Sequence, residues 1–575
     1  LKTDPAYYFC YERNDSPELI LNGLETDIFL TMKRRSLLLQ GFFLLLAGTH
    51  PAAAASPSPQ SDDQQLFIGE QIAVAPTRYG KVRGFILRGI YNFRGIPYGA
   101  PASGENRFMP PQPPRPWKGV RPAVAFGDSA PQSFYDRRPE SYSMFVDHWN
   151  YDGMSEDCLR LNVWTPGLDG KRRPVLVWLH GGGFARGNGI EQDGYDGENI
   201  ARYGDIVFCS VNHRLGPLGF SDFAGVGGKK FVSSGNAGML DIVAALEWVR
   251  DNIEAFGGDP QNVTIMGQSG GGAKVCNLCA MPAAKGLFHK AVALSGNATR
   301  ANSKQYAEAL GSAILREAGL DASQIDSLQH MPWEEYMLLA ERAAQHLNGI
   351  PGVGQRGGFA PVGDGRDLPD GEFYTGRYST WGTDVPMLLC STFHEWNPDR
   401  DDPELESVTT EGVVGHLTPV FGERAGAIVE AYAKSFPELR PIELWSVIVS
   451  NRRGVVHTAD VKCREQQSPV YMAWFGWESP LFDGRHRAFH CLDICFWFLN
   501  TDRMVTHTGG GKAPRDLSYR MADALLAFMR TGDPNCPSLP SWPRYTPRKG
   551  EVMILDDRCR TAEDPDREAR RAFGD

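Results

Sequence analysis

The chain has 575 residues, 42% of them hydrophobic and 22% charged, enough for a large buried core and for more than one domain at roughly 100–200 residues each. A formal net charge of -10 argues against nucleic acid as a partner, because phosphate binding needs a basic face; solubility accounts for this charge more simply. The 11 cysteines form no dense disulfide framework and show no zinc-ribbon spacing.

In chain order, residues 1–31 precede a start at Met32, show no clear periodicity and read as upstream translated sequence outside the fold. Residues 32–55 carry the parts of an export signal. Lys33, Arg34 and Arg35 form a positive region, and Leu37 to Ala47 is apolar but too short to span a bilayer. Ala52 to Ala55 supplies the small residues that a signal peptidase needs. Arg34-Arg35-Ser36-Leu37-Leu38 is similar to a twin-arginine signal, which exports folded protein; a Sec signal and an uncleaved anchor are the other readings. The expectation is an exported protein, periplasmic or secreted, without a stable membrane anchor. Residues 56–68, rich in Ser, Pro, Gln and Asp at their start, read as a flexible lead-in, and 69–575 as the folded domain.

From there, short apolar runs alternate with helical patterns. Val175 to Leu179, Ile206 to Val211, Val263 to Met266, Lys290 to Leu294 and Pro386 to Phe393 read as strands, and Tyr471 to Trp477 as a strand of less clean alternation. Ala237 to Phe256 and Asp516 to Arg530 have helical periodicity. Such alternation predicts an α/β fold with a mainly parallel sheet covered by helices on both faces. The stretches 300–385 and 400–465 read as mostly helical insertions that cap the site.

Two glycine motifs carry chemistry. Gly267-Gln268-Ser269-Gly270-Gly271 fits G-x-S-x-G and lies between a strand and a helix, where a nucleophile elbow holds its serine in a strained turn. His180-Gly181-Gly182-Gly183-Phe184 follows a strand, and its glycines leave backbone amides uncovered. Gly182, Gly183 and Gly270 can then donate to the oxyanion formed when Ser269 attacks a carbonyl. Each motif alone is weak, the first matching an ordinary turn and the second a flexible loop; together they point to acyl transfer. Cys276 and Cys279 fall on one helix face just after the elbow and read as core packing, with redox or metal work as the lesser reading.

With these motifs, the chain resembles the type-B carboxylesterases, a family of α/β-hydrolase fold that includes cholinesterases and bacterial para-nitrobenzyl esterases, over about residues 70–570. The resemblance also rests on Phe93 to Tyr98, Ser155 to Trp164, Trp248 to Asn252, Phe256 to Pro260 and Gly532-Asp533-Pro534. It implies His490 as the base, in Ala488-Phe489-His490-Cys491-Leu492-Asp493, and Glu395 as the acid following the strand near Phe393. Asp493 is the rival acid, and His486, between Arg485 and Arg487, reads as a surface residue. It further implies a supporting hydrogen bond from Ser295, which otherwise reads as a strand-end turn serine, and a structural salt bridge between Arg107 and Glu156.

The chain departs from the family in three places. Gln268 stands where a carboxylate often precedes the nucleophile, so it reads as a supporting residue alongside Ser295 and a choline-like cation is disfavoured. Trp149 lies near the choline-stacking tryptophan of cholinesterases but in a shorter segment, and reads as a packing residue. The usual partner of Cys158 falls at Ala130, leaving Cys158 unpaired or differently paired. The implied activity is hydrolysis of small neutral esters through an acyl-enzyme, without metal or cofactor. An amidase, carbamate hydrolase or toxin-ester hydrolase with the same triad is the alternative. A cholinesterase-like binding protein is disfavoured, because the whole catalytic set is kept. The oligomeric state is not legible.

Overall fold

Strand runs buried on both faces dominate the centre of the chain. Val175, Val177 and Leu179 face one core cluster while Leu176 and Trp178 face another, all fully buried. The computed structural model describes residues 65–133, 150, 153–347, 358–400 and 402–574. The segment 32–55 read as an export signal, the segment 1–31, most of the lead-in and Trp149 lie outside the described residues.

The central sheet has twelve strands: β1 (Leu66–Phe67), β2 (Phe85–Leu87), β3 (Ile90–Pro97), β4 (Arg160–Thr165), β5 (Arg173–Leu179), β6 (Val207–Val211), β7 (Gly258–Gln268), β8 (Lys290–Leu294), β9 (Met387–Thr392), β10 (Val470–Phe475), β11 (Glu551–Leu555) and β12 (Arg560–Glu563). Their order is β1-β2-β3-β4-β6-β5-β7-β8-β9-β10-β11-β12. From β6 to β11 every pairing is parallel, and the two margins are antiparallel. The strand read less cleanly at Tyr471 is β10; it lacks alternation because all six of its residues are buried.

Helices cover both faces, as such a sheet requires. α1 (Ala237–Asn252) and α2 (Gly270–Ala280) bury Ile242, Leu246, Val275 and Cys279 against one face. α3 (Lys304–Glu317) and α4 (Trp333–Gln345) close a separate cluster around Phe108, Phe223 and Tyr336. α5 (Thr410–Phe421), α6 (Ala425–Ser435), α7 (Pro441–Ile448) and α8 (Arg452–Glu465) extend the first face, and α9 (Lys512–Thr531) covers the second through Leu517, Met521 and Leu525. Among the described residues of the first insertion α-helix is confined to 304–345; residues 358–386 are largely irregular, with one 3-10 turn at Gly376–Tyr378. Among the described residues no helix is long and apolar enough to cross a membrane.

Because the central strands are parallel, the segments that leave their C-terminal ends emerge along one edge. β5, β7, β9 and β10 are neighbours or near-neighbours, with Leu179 opposite Gly267 and Thr392 opposite Phe475. This is the edge where open α/β sheets build sites.

Candidate active site

β7 ends at Gln268 and α2 begins at Gly270, so one residue makes the turn between them. That residue, Ser269, sits at φ +56°, ψ −124°, a strained conformation for a side chain bearing a Cβ. The surroundings fix it: its amide donates to Leu294 O at 2.8 Å, and its carbonyl accepts from Ala273 N at 3.1 Å. The turn packs directly on the end of β5. A Cβ at Gly271 would lie 2.0 Å from Leu179 O, so only glycine allows the approach.

The loop His180–Gly183 leaves β5 beside this turn. Gly182 and Gly183 take φ of +73° and +62°, which turns the chain back over the start of α2. The contact is close enough that a Cβ on Gly270 would meet Gly183 O at 2.1 Å. Among the described residues, the amides of Gly182, Gly183 and Gly270 have no acceptor. They are donors available to a ligand at a helix N-terminus.

The second half of the site comes from β9 and β10. Beyond β9, Glu395 is buried; its Oε1 accepts from Thr392 N at 3.0 Å, and its Oε2 accepts from His490 Nδ1. The two loops that carry these residues are laced together. His394 N donates to Ala488 O at 3.1 Å, His490 N donates to Glu395 O at 3.2 Å, and Asn397 Nδ2 donates to His486 O. Burial opposes charge on the His490 ring, but Cys491 and Glu395 outweigh it and hold its pKa well above the ordinary imidazole value. The ring is thus suited to keep a proton taken from a nucleophile.

Of the neighbours of His490, the sequence points to Gln268 but not to the contacts of Cys491 and Trp396. Gln268 is fully buried, and its Nε2 lies 3.2 Å from His490 Nε2. No hydrogen bond joins Ser269 Oγ to His490 in this arrangement, as is common before substrate arrives. Cys491, at φ +76°, donates from Sγ to Gln268 Oε1 at 3.2 Å. Trp396 packs on the His490 ring with centroids 4.2 Å apart.

The remaining expectations divide. Asp493 makes no hydrogen bond to His490; it accepts from Trp497 Nε1 at 3.2 Å. Burial, reinforced by the charge of Glu395, pushes its carboxyl up to about 7. Ser295 is buried at φ +47°, and its Oγ makes no hydrogen bond, so the support expected from it is not made in this structure. Arg107 and Glu156 form a buried two-pronged ion pair at 2.6–2.7 Å, and Arg107 also donates to Leu328 O and Met331 O. This ties the N-terminal loops to the α3–α4 region. The surface reading of His486 is corrected. His486 and Arg487 are both buried, because Arg487 meets Asp399 at 3.1 Å, Glu406 at 3.0 Å and Glu443 of α7 at 3.6 Å. Cys276 and Cys279 are buried in the core, and Cys158 is a buried free thiol.

Comparison with known proteins places this chain among ester hydrolases. A family profile for the carboxylesterase family matches residues 71–402. The para-nitrobenzyl esterase of Bacillus subtilis is 33% identical over 86% of this chain and 97% of its own length. The phenmedipham hydrolase of Pseudarthrobacter oxydans is 34% identical over 84% of this chain and 95% of its own. The solved structure of a Geobacillus stearothermophilus carboxylesterase matches with a TM-score of 0.72 and 32% identity, covering 87% of this chain and 100% of that one.

Proposed function

The chain belongs to the carboxylesterase family and is a carboxylic-ester hydrolase of α/β-hydrolase fold; on that premise we propose that Ser269 is its nucleophile, His490 its base and Glu395 its acid. His490 Nε2 takes the Ser269 proton as Oγ attacks the ester carbonyl, which requires the Gln268 amide to release that nitrogen. The amides of Gly182, Gly183 and Gly270 receive the oxyanion. The alcohol leaves with the proton from His490, and water repeats the attack on the acyl-enzyme. Glu395 holds the proton on Nδ1 and balances the imidazolium. What supports this reading is the convergence, at one edge of the sheet, of a strained serine, three uncovered amides and the His490–Glu395 pair.

The substrates are small neutral esters, with branched alcohols tolerated. Gln268 supplies no charge for a cationic alcohol, and the glycine run leaves room beside the oxyanion site. The test is kcat/KM for tert-butyl acetate, n-butyl acetate and acetylcholine. We expect turnover of both neutral esters and little of the cation; a marked preference for acetylcholine, or an inert tertiary ester beside a reactive linear one, contradicts the pocket argument.

Export follows from residues 32–55, through the twin-arginine route, to a periplasmic or secreted product cleaved near Ala55-Ser56. Mass spectrometry of protein from its native host should find that terminus; an intact Met32 terminus on a cytoplasmic species contradicts it.

A further inference from the structure

Lys274 is fully buried on α2, the helix that begins right after Ser269. Its Nζ donates to the carbonyl of His180 at 2.9 Å and lies 5.9 Å over the ring of Phe184, so it touches both ends of the glycine loop. Burial pulls its pKa down to about 7, with Glu191 offsetting part of the loss. Around it, the His180 and His213 rings stack at 5.1 Å, and burial together with the Lys274 charge keeps both neutral.

An ammonium is costly to bury, and an apolar side chain of similar volume would fill the space without that cost. The position of this one gives the cost a use. The oxyanion donors come from two separate pieces of chain, Gly182 and Gly183 from the loop after β5 and Gly270 from the first turn of α2. Lys274 rises from that helix and grips the loop at its first residue.

We propose that Lys274 is a positioning residue for the oxyanion hole: by tying α2 to the His180 carbonyl, it sets the spacing between the Gly270 amide and those of Gly182 and Gly183. The proposal rests on the assignment of those amides made above. A lysine that merely filled the core would affect stability and leave the balance between ground state and transition state unchanged.

The experiment compares Lys274→Met and Lys274→Gln with the unaltered enzyme, using para-nitrophenyl acetate for kcat and KM. An aryl trifluoromethyl ketone, which forms a tetrahedral adduct on the nucleophile, reports on the oxyanion hole. Lys274→Met should lower kcat by about 10- to 100-fold, leave KM within about threefold and weaken the ketone by a factor similar to the kcat loss. Lys274→Gln, which keeps an N–H donor, should recover part of that loss. The proposal is overturned by a Lys274→Met enzyme with near-normal kcat, by a change confined to KM with ketone affinity kept, or by a variant that circular dichroism shows to be unfolded. Ser269→Ala in the same assay separates the two levels. Turnover surviving in Ser269→Ala overturns the site assignment itself, whereas an inert Ser269→Ala beside a normal Lys274→Met overturns the lysine proposal alone.

Discussion

On the Ser269 side of the site, backbone touches backbone. The end of β5, the glycine loop and the first turn of α2 approach so closely that a Cβ at Gly271 would overlap Leu179 O. On the His490–Glu395 side, side chains hold the parts together. The loops bearing Glu395 and His490 are joined by Asn397 and by Arg487, which reaches Asp399, Glu406 and Glu443. The first half is rigid because nothing larger fits. The second is held by ion pairs around the buried Arg487 and Asp399, each of which needs its partner. The two halves should therefore fail differently.

The larger effect is expected in the glycine-built half. Gly271→Ala forces α2 away from β5 and spreads the oxyanion donors, and kcat should fall by about 10²–10³-fold, the scale of losing one such donor. A variant with normal kcat shows that the backbone contact yields without cost, and the contrast between the halves fails. The smaller catalytic effect is expected in the charge-built half. Arg487→Met strands the buried carboxylate of Asp399, so the free energy of unfolding should drop by about 3–5 kcal/mol, read from the denaturation midpoint. The His490 loop then loosens, and kcat should fall roughly 10-fold, since small misplacements of a reacting group are costly. Unchanged stability would show that the ion pairs do not hold the loops.

The same contrast explains what the sequence disclosed. A steric demand for glycine is local, so Ser269, its elbow and the triple glycine stand in contiguous residues, and the strands around them announce themselves by apolar runs. The charge-built half is assembled from distant segments. Arg485-His486-Arg487 has the look of a solvated turn, and nothing adjacent reveals that Asp399 and Glu443 will bury its last residue. Glu395 and His490 were legible only through the resemblance to a family, since neither sits in a motif whose chemistry is evident from spacing. Gln268 reads in sequence as a missing charge and a supporting residue, and its side chain lies 3.2 Å from the His490 ring. Trp396 against the His490 ring and the buried Lys274 leave no periodic signal at all, because one packs from an irregular loop and the other lies at a helix start crowded with glycines.

The central claim is that Ser269, activated by the His490–Glu395 pair, forms the acyl-enzyme. The most direct measurement is peptide mapping after reaction of the purified enzyme with diethyl para-nitrophenyl phosphate, which phosphorylates an activated serine irreversibly. The account predicts one diethyl phosphoryl group on Ser269, incorporated in proportion to the loss of esterase activity, and no incorporation in Glu395→Gln over the same interval. Modification of another residue in step with inactivation, or full inactivation with Ser269 unmodified, would contradict it.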